Sequence, residues 1–355
     1  MNIRKFYIGT SIIGLTLIIH ACTLKTSEKH SEELGQTSEV VHFNELVDSV
    51  ILTRVQEDAT TILGTISKIE IGNRDFYALN QQHNMIVRID SLGICQSKLK
   101  KIGKSRTEYI RIEDFSIDNE KDVLAILCDF TKVIYYDLNF NLLKVENINV
   151  PLYRVCLWEG KLYGYTAEDN CIVRIENGVV QKIIETDQVP FWVFSQTPVF
   201  HKTGNKLLAT LECDNKIYEI RHGEAKELLT YTYENDEEIR RKYMNPPQNQ
   251  TTTSLYEETP LKIQHLAIRN NQLLMIYSKD MLVRIAEFDL KNKSIVRDGV
   301  FHGSPSPSWN ALNVSLASSF ETESALPVDS SYLDKIVEQN KYQDEGPVII
   351  KYVIR

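Results

Sequence analysis

The stretch Arg74–Gly93, RDFYALNQQHNMIVRIDSLG, reads as one β-hairpin. Phe76–Leu79 is apolar and aromatic, Asn80–Asn84 is a polar turn, and Met85–Ile89 alternates before Asp90-Ser91-Leu92-Gly93 turns again. Variants of this phrase return along the chain. Ile172-Val173-Arg174-Ile175-Glu176, Ile217-Tyr218-Glu219-Ile220 and Leu282-Val283-Arg284-Ile285 repeat its second half. Lys161–Tyr165, Lys206–Ala209 and Gln272–Met275 repeat its first.

Counting outward from the hairpin gives groups of four strands. They span Ile66–Lys100, Phe115–Ile148, Leu152–Glu185, Thr197–Tyr231 and Ile263–Phe301. Each takes roughly 35–45 residues, the period of a propeller blade. A sixth group is split. Ala311–Ser319 and Val348–Ile354 supply strands near the C-terminus, and Val50–Val55 would complete the blade from the other end. A lone hairpin cannot bury both faces, whereas radially arranged sheets bury them against one another. The expected fold is therefore all-β: a six-bladed β-propeller of four-stranded antiparallel blades, its last blade closed by N- and C-terminal strands. Two insertions interrupt the repeat, Tyr233–Pro260 with a short helix at Asp236–Tyr243, and a helix at Ser331–Gln339.

The N-terminus reads as an export signal. Arg4-Lys5 precedes the apolar run Phe6–Ile19, which is short for a membrane span, and the run ends at Ile19-His20-Ala21-Cys22. That ending resembles a bacterial lipobox, in which the cysteine becomes the lipid-modified first residue. The expected organisation is a lipoprotein signal at 1–21, a flexible tether at 22–45 and the propeller at 46–355. The expected location is the cell envelope, with the membrane reached through a lipid on Cys22. The net charge of −8 argues against a nucleic-acid partner, because phosphate-backbone binding depends on Lys and Arg.

No zinc spacing, GxSxG, HExxH or phosphate-cradling Gly loop is present, and no cofactor or metal is expected. Five cysteines follow Cys22. Of these, Cys156 and Cys171 could face each other across neighbouring strands.

At Lys101–Asp118, KIGKSRTEYIRIEDFSID, the chain resembles the six-bladed β-propeller lipoproteins of anaerobic Gram-negative bacteria, architectural relatives of NHL-repeat propellers. Ile102-Gly103, Glu108-Tyr109 and Asp114-Phe115 carry the likeness, with the C-terminal Gly346-Pro347-Val348 strand. The loop Lys104–Thr107 departs from it, lacking the usual glycines and proline. The resemblance implies fold and envelope location and little function.

Candidate ligand residues lie where loops would meet a channel end. Arg106, Glu108 and Tyr109 share one inter-blade loop, with Arg106 and Glu108 also readable as a surface ion pair. Trp158, Trp192 and Trp309 sit in or beside turns and could stack on sugar rings; the alternative is that these Trp and the Tyr simply wedge between adjacent blades. The expected function is a binding module for a glycan, peptide or envelope protein. The alternative is a metal-dependent hydrolase or lyase acting on glycans or lactones, which needs Asp114, Asp118, His201, Glu212 and His265 to converge.

Overall fold

The structure, a computed structural model, describes residues 33–42, 45, 47–56, 66–186, 198–244, 261–279, 282–302, 317–320, 323–328 and 348–354. Cys22, Trp192, Trp309 and the Ser331–Gln339 helix lie outside them.

Three strands precede the first repeat: β1 (Glu33–Leu34), β2 (Val40–His42) and β3 (Val47–Arg54). Blade 1 holds β4 (Lys68–Ile71), β5 (Asp75–Asn80), β6 (Met85–Asp90) and β7 (Cys95–Leu99). Blade 2 holds β8 (Ile112–Asp118), β9 (Val123–Cys128), β10 (Lys132–Asp137) and β11 (Leu142–Asn147). Blade 3 holds β12 (Arg154–Trp158), β13 (Lys161–Thr166), β14 (Cys171–Glu176) and β15 (Val179–Ile184). Blade 4 holds β16 (Phe200–Thr203), β17 (Lys206–Thr210), β18 (Lys216–Arg221) and β19 (Glu224–Thr230). The short β20 (Thr232–Tyr233) and helix α1 (Asp236–Met244) follow. Blade 5 holds β21 (Lys262–Arg269), β22 (Gln272–Lys279), β23 (Leu282–Asp289) and β24 (Ser294–His302). Blade 6 holds β25 (Ala317–Phe320), β26 (Glu323–Val328) and β27 (Val348–Ile354), with β3 as its outermost strand.

The expected closure is present: β3 pairs antiparallel with β27, from Arg54 opposite Val348 to Val47 opposite Ile354. Joining the two ends of the chain in one sheet removes the free edge that an open ring would leave. The strand β26 was not legible in sequence. It carries Pro327 in the middle of a sheet, opposite Ile349, and proline cannot donate to a ladder there.

Burial grades across each blade. The inner strand β8 is buried throughout, and the second strands follow at nearly every position. The outer strands β11 and β15 are largely exposed. Both faces of the inner strands are therefore covered, and apolar clusters fill the seams between blades. At the blade 3 seam the spacing is tight enough to require Gly164. A Cβ there would lie 2.8 Å from Leu152 and 3.2 Å from Ile175. The cysteines after Cys22 are free thiols. Cys156 and Cys171 sit on β12 and β14 with β13 between them, so they do not face each other across neighbouring strands.

The sheet pattern sorts the connections onto two ends. At one, the first and second strands, and the third and fourth, join through tight turns. Glu159-Gly160, Asn177-Gly178, His222-Gly223 and Asn270-Asn271 are two-residue turns with positive φ at both positions. Longer turns there are closed by aspartates: Asp90 accepts from the backbone of Leu92 and Ile94, and Asp137 from Asn139 and Asn141. The other end carries the inter-blade connections, of which 100–111 and 148–153 lie wholly among the described residues. It is called the loop end below, and the first the turn end.

The tether expected over 22–45 is structured in its second half. β1 pairs in parallel with β20, and β2 adds a fifth strand to blade 5 against β24. Leu34 and Val41 are buried. A buried cluster holds the segment. Asp298 accepts from the Gly35 amide at 2.8 Å and from the Tyr277 hydroxyl at 2.5 Å, and Arg284 donates to the Thr37 carbonyl at 2.7 Å. These contacts order residues that composition alone assigns to a solvated linker.

Candidate functional site

The inner strands bring an unexpected set of polar residues to the axis. Lys68 and Glu70 alternate on β4, Asp114 and Ser116 on β8, and Lys202 projects from β16. The Lys68 ammonium donates to Asp114 at 2.8 Å and to the Phe115 carbonyl at 2.6 Å. The Lys202 ammonium donates to Glu70 at 3.0 Å, to the Ser116 hydroxyl at 2.9 Å and to the Ile117 carbonyl at 2.7 Å. Asp114 and Ser116 in turn accept from the amides of Val155 and Leu157 on blade 3. One network thus ties blades 1, 2, 3 and 4 together. Burial opposes charging at both Lys68 and Glu70. Even so, Asp114 and Glu70 hold Lys68 above its ordinary pKa, and Lys202 and Lys68 hold Glu70 below its own.

Beside it lie His201 on β16 and His265 on β21, with ring centroids 6.4 Å apart. They are 4% and 1% exposed. Among the buried side-chain atoms without a hydrogen-bond partner are His201 Nε2, both nitrogens of His265 and the amide oxygen of Gln264. Burial pushes His201 down to about 3, with His265 adding repulsion, and His265 down to about 4. Both rings are neutral at pH 7.

Two recesses open at the loop end. The first is a narrow cleft of about 30 Å³ between blades 3, 4 and 5, lined by Tyr153, Tyr165, Tyr231, Glu212 and Lys262 over a floor that includes Val199, Leu211 and Ile263. Its wall is fixed: the Tyr165 hydroxyl donates to Asn170 at 3.0 Å, and the Asn170 amide donates to the Glu212 carbonyl at 2.7 Å. Burial lowers the Lys262 ammonium pKa, against the pull of the Glu212 carboxylate. The second recess is polar, about 340 Å³, and lies between the channel-side ends of blades 1 and 2. Ser67, Gln81, Gln82 and Arg111 line it.

The residues singled out in sequence fare unequally. Arg106 is exposed in the loop 100–111. Glu108 does not reach it. Its carboxylate turns back to the Ser105 amide at 2.9 Å, which holds its pKa low, so the surface ion pair is not formed. Tyr109 is 0% exposed. Its ring packs in the seam between blades 1 and 2, and its hydroxyl accepts from the Lys101 amide at 3.0 Å. That is the wedge alternative for this residue. Trp158 ends β12 at the turn end, away from the loops. Asp118 is also at the turn end, where it accepts from the amides of Glu120, Lys121 and Gly160. Glu212 lines the cleft at the opposite end. The acid–histidine set is thus spread along the axis, and only His201 and His265 come together. No group of three or more His, Cys, Asp or Glu side chains placed for a metal occurs among the described residues.

A family model described as a 6-bladed beta-propeller, DUF5128, matches residues 26–297. The chain belongs to this family. Solved structures agree on the fold of this DUF5128 propeller. A protein from Bacteroides fragilis NCTC 9343 assigned as exported superimposes with a TM-score of 0.67 at 14% identity, covering 91% of this chain and 98% of that one. A member of the DUF4221 family from Bacteroides vulgatus gives 0.52 at 9% identity, covering 87% and 97%. No curated protein matches the sequence.

The features missed in sequence left a trace there. Lys68-Ile69-Glu70-Ile71, Phe200-His201-Lys202-Thr203 and Lys262-Ile263-Gln264-His265 place charged or polar residues inside strands that the repeat makes innermost. Such positions are buried on both faces, so a charge in them must find a partner across the axis.

Proposed function

We propose that this DUF5128 propeller is a cell-envelope binding module, carried on the membrane by a lipid at Cys22, that takes a glycan, peptide or protein ligand at its loop end. The observation that carries this reading is the asymmetry of the two ends. Among the described residues, these two recesses open at the end that carries the inter-blade connections, and the turns at the other end are tight. Below the recesses, the charged groups of the channel are engaged with one another across four blades. Tyr165 and Tyr231 are buried and form the cleft wall, while the half-buried Tyr153 presents an aromatic face of the kind that suits sugars or extended peptides. The export reading draws on the Arg4–Cys22 pattern and on the exported assignment of the Bacteroides fragilis protein. No helix among the described residues is long and apolar enough to cross a membrane.

A thermal-shift screen of the full-length protein against envelope glycans, peptidoglycan fragments and peptides tests the reading. A ligand at a hundred times its dissociation constant adds about 2.7 kcal/mol to the folded state. The expected hit loses its shift in Tyr153→Ala or Tyr231→Ala, or in variants of the polar recess. A shift that survives all of these, or a shift produced only by a divalent cation, contradicts a loop-end binding module. In the same preparation the wild-type chain should partition with detergent and Cys22→Ser should not.

A further inference from the structure

The loop end carries both signs of charge: Glu113 and Asp129 stand beside Arg111, and Glu212 beside Lys262. Four blades start their inner strands there on a cation: Lys68, Arg111 one residue ahead of β8, Arg154 and Lys262. Three of these are engaged. Lys68 is held in the axial network, the Arg154 guanidinium donates to the Tyr153 carbonyl at 2.8 Å, and Lys262 is buried beside the Glu212 carboxylate. Arg111 differs. Its Nε lies 3.2 Å from Glu113 Oε2, and its side chain is 56% exposed. Among the described residues its two terminal nitrogens make no hydrogen bond or ion pair. The Glu113 carboxylate behind it is buried. The guanidinium is therefore held at Nε by Glu113, and Arg111 lines the 340 Å³ recess.

The rest of the recess is uncharged and polar. The Ser67 hydroxyl accepts from the Gln81 amide at 3.2 Å, and the Gln81 side chain donates to the Ile112 carbonyl at 3.4 Å. Gln82 completes the lining, which contains no apolar side chain. Amides and a hydroxyl of this kind match the hydroxyls of a sugar ring, and the volume falls in the small-ligand class of roughly 300–1,000 Å³. A planar guanidinium fork matches a carboxylate in two parallel hydrogen bonds.

We propose that the recess between blades 1 and 2 binds an acidic sugar, a carboxylate on a hydroxylated ring, with Arg111 taking the carboxylate and Ser67, Gln81 and Gln82 taking ring hydroxyls. The inference rests on the loop end being the ligand-binding end and names the ligand class there.

Isothermal titration of the full-length protein decides it. The probes are glucuronate, galacturonate and their short oligomers, with glucose, galactose, glucose 6-phosphate and acetate as comparisons. The acidic sugars should bind at least about tenfold more tightly than the neutral ones. Arg111→Ala should weaken them by roughly 10–100-fold and Arg111→Lys by less, as for loss of a charged hydrogen-bond pair. Added salt should weaken them further. Equal binding of neutral sugars overturns the assignment, as does equal binding of acetate or the sugar phosphate, or unchanged binding in Arg111→Ala. If Arg111→Ala does not fold, Arg111→Lys and the acidic-against-neutral comparison still decide. A neutral glycan or peptide whose binding maps to Tyr153 or Tyr231 refutes this inference and leaves the binding module standing. Absence of any ligand in both experiments refutes both.

Discussion

Acidification from pH 7 to pH 5 should destabilise the protein by about 3–4 kcal/mol, well before most carboxylates titrate. The cause is the buried pair His201 and His265. Burial holds them to about 3 and about 4 in the folded state, against about 6.5 in an unfolded chain. Because the folded values are depressed, the unfolded chain binds the protons first. The stability from keeping both rings neutral is fully present above pH 6.5 and falls as pH drops toward 4 and then 3. Each histidine contributes a slope of up to about 1.4 kcal/mol per pH unit in that window. Glu113 and Asp214, whose pKa values burial raises, act in the opposite direction at the acidic end. Glu70, held low chiefly by Lys202 and Lys68 against its burial, adds to the loss once its own carboxylate protonates. Denaturant midpoints at pH 7, 6 and 5 measure the slope, and a His201→Leu/His265→Leu variant should be close to flat between pH 6.5 and 5. Parallel slopes in the two proteins would remove the histidines as the cause.

Replacing Glu70 by leucine should cost about 3–5 kcal/mol, the range for breaking a buried charge pair from one side. The Glu70 carboxylate faces Lys202 at 3.0 Å and Lys68 at 3.3 Å and accepts from the Ile117 amide at 2.9 Å. Without it, the Lys202 ammonium keeps two neutral acceptors, the Ser116 hydroxyl and the Ile117 carbonyl. Lys68 still has Asp114. The deficit therefore falls on Lys202, and the double variant Glu70→Leu/Lys202→Met should recover much of the loss by removing the stranded charge. Urea unfolding of the two single variants and the double gives the coupling directly. A Glu70→Leu cost under about 1 kcal/mol, or strictly additive single variants, would show that water at the axis already satisfies these groups.

The fold was legible because its signal is repeated. The hairpin of Phe76–Asp90 returns in several later groups, each with a similar apolar pattern and polar turns. Asp90-Ser91-Leu92-Gly93 forecasts its turn from local chemistry alone. The closure of blade 6 was legible from Val50–Val55 and Val348–Ile354, both strongly β-branched. The segment 33–42 was not. Its neighbours in sequence are polar, and what orders it is Asp298 and Arg284, more than 240 positions away. The site was less legible still. Tyr109 stands in a loop in sequence, yet the seam between blades 1 and 2 swallows its ring. Trp158 and Asp118 looked like neighbours of the channel mouth until the strand directions placed them at the turn end. Arg111, Lys68 and Lys202 carry no motif. Their roles follow from which strand is innermost and which end of it faces the loops, quantities that exist only after six sheets have closed into a ring.

The loop end as the binding end is tested most directly by hydrogen–deuterium exchange on the full-length protein, with and without the ligand that gives the largest thermal shift. Protection should appear in 67–68, 81–84, 100–113 and 261–265, with the turns at 91–94, 138–141, 177–178 and 222–223 unchanged. Protection confined to those turns, or spread evenly over the outer strands, would contradict it.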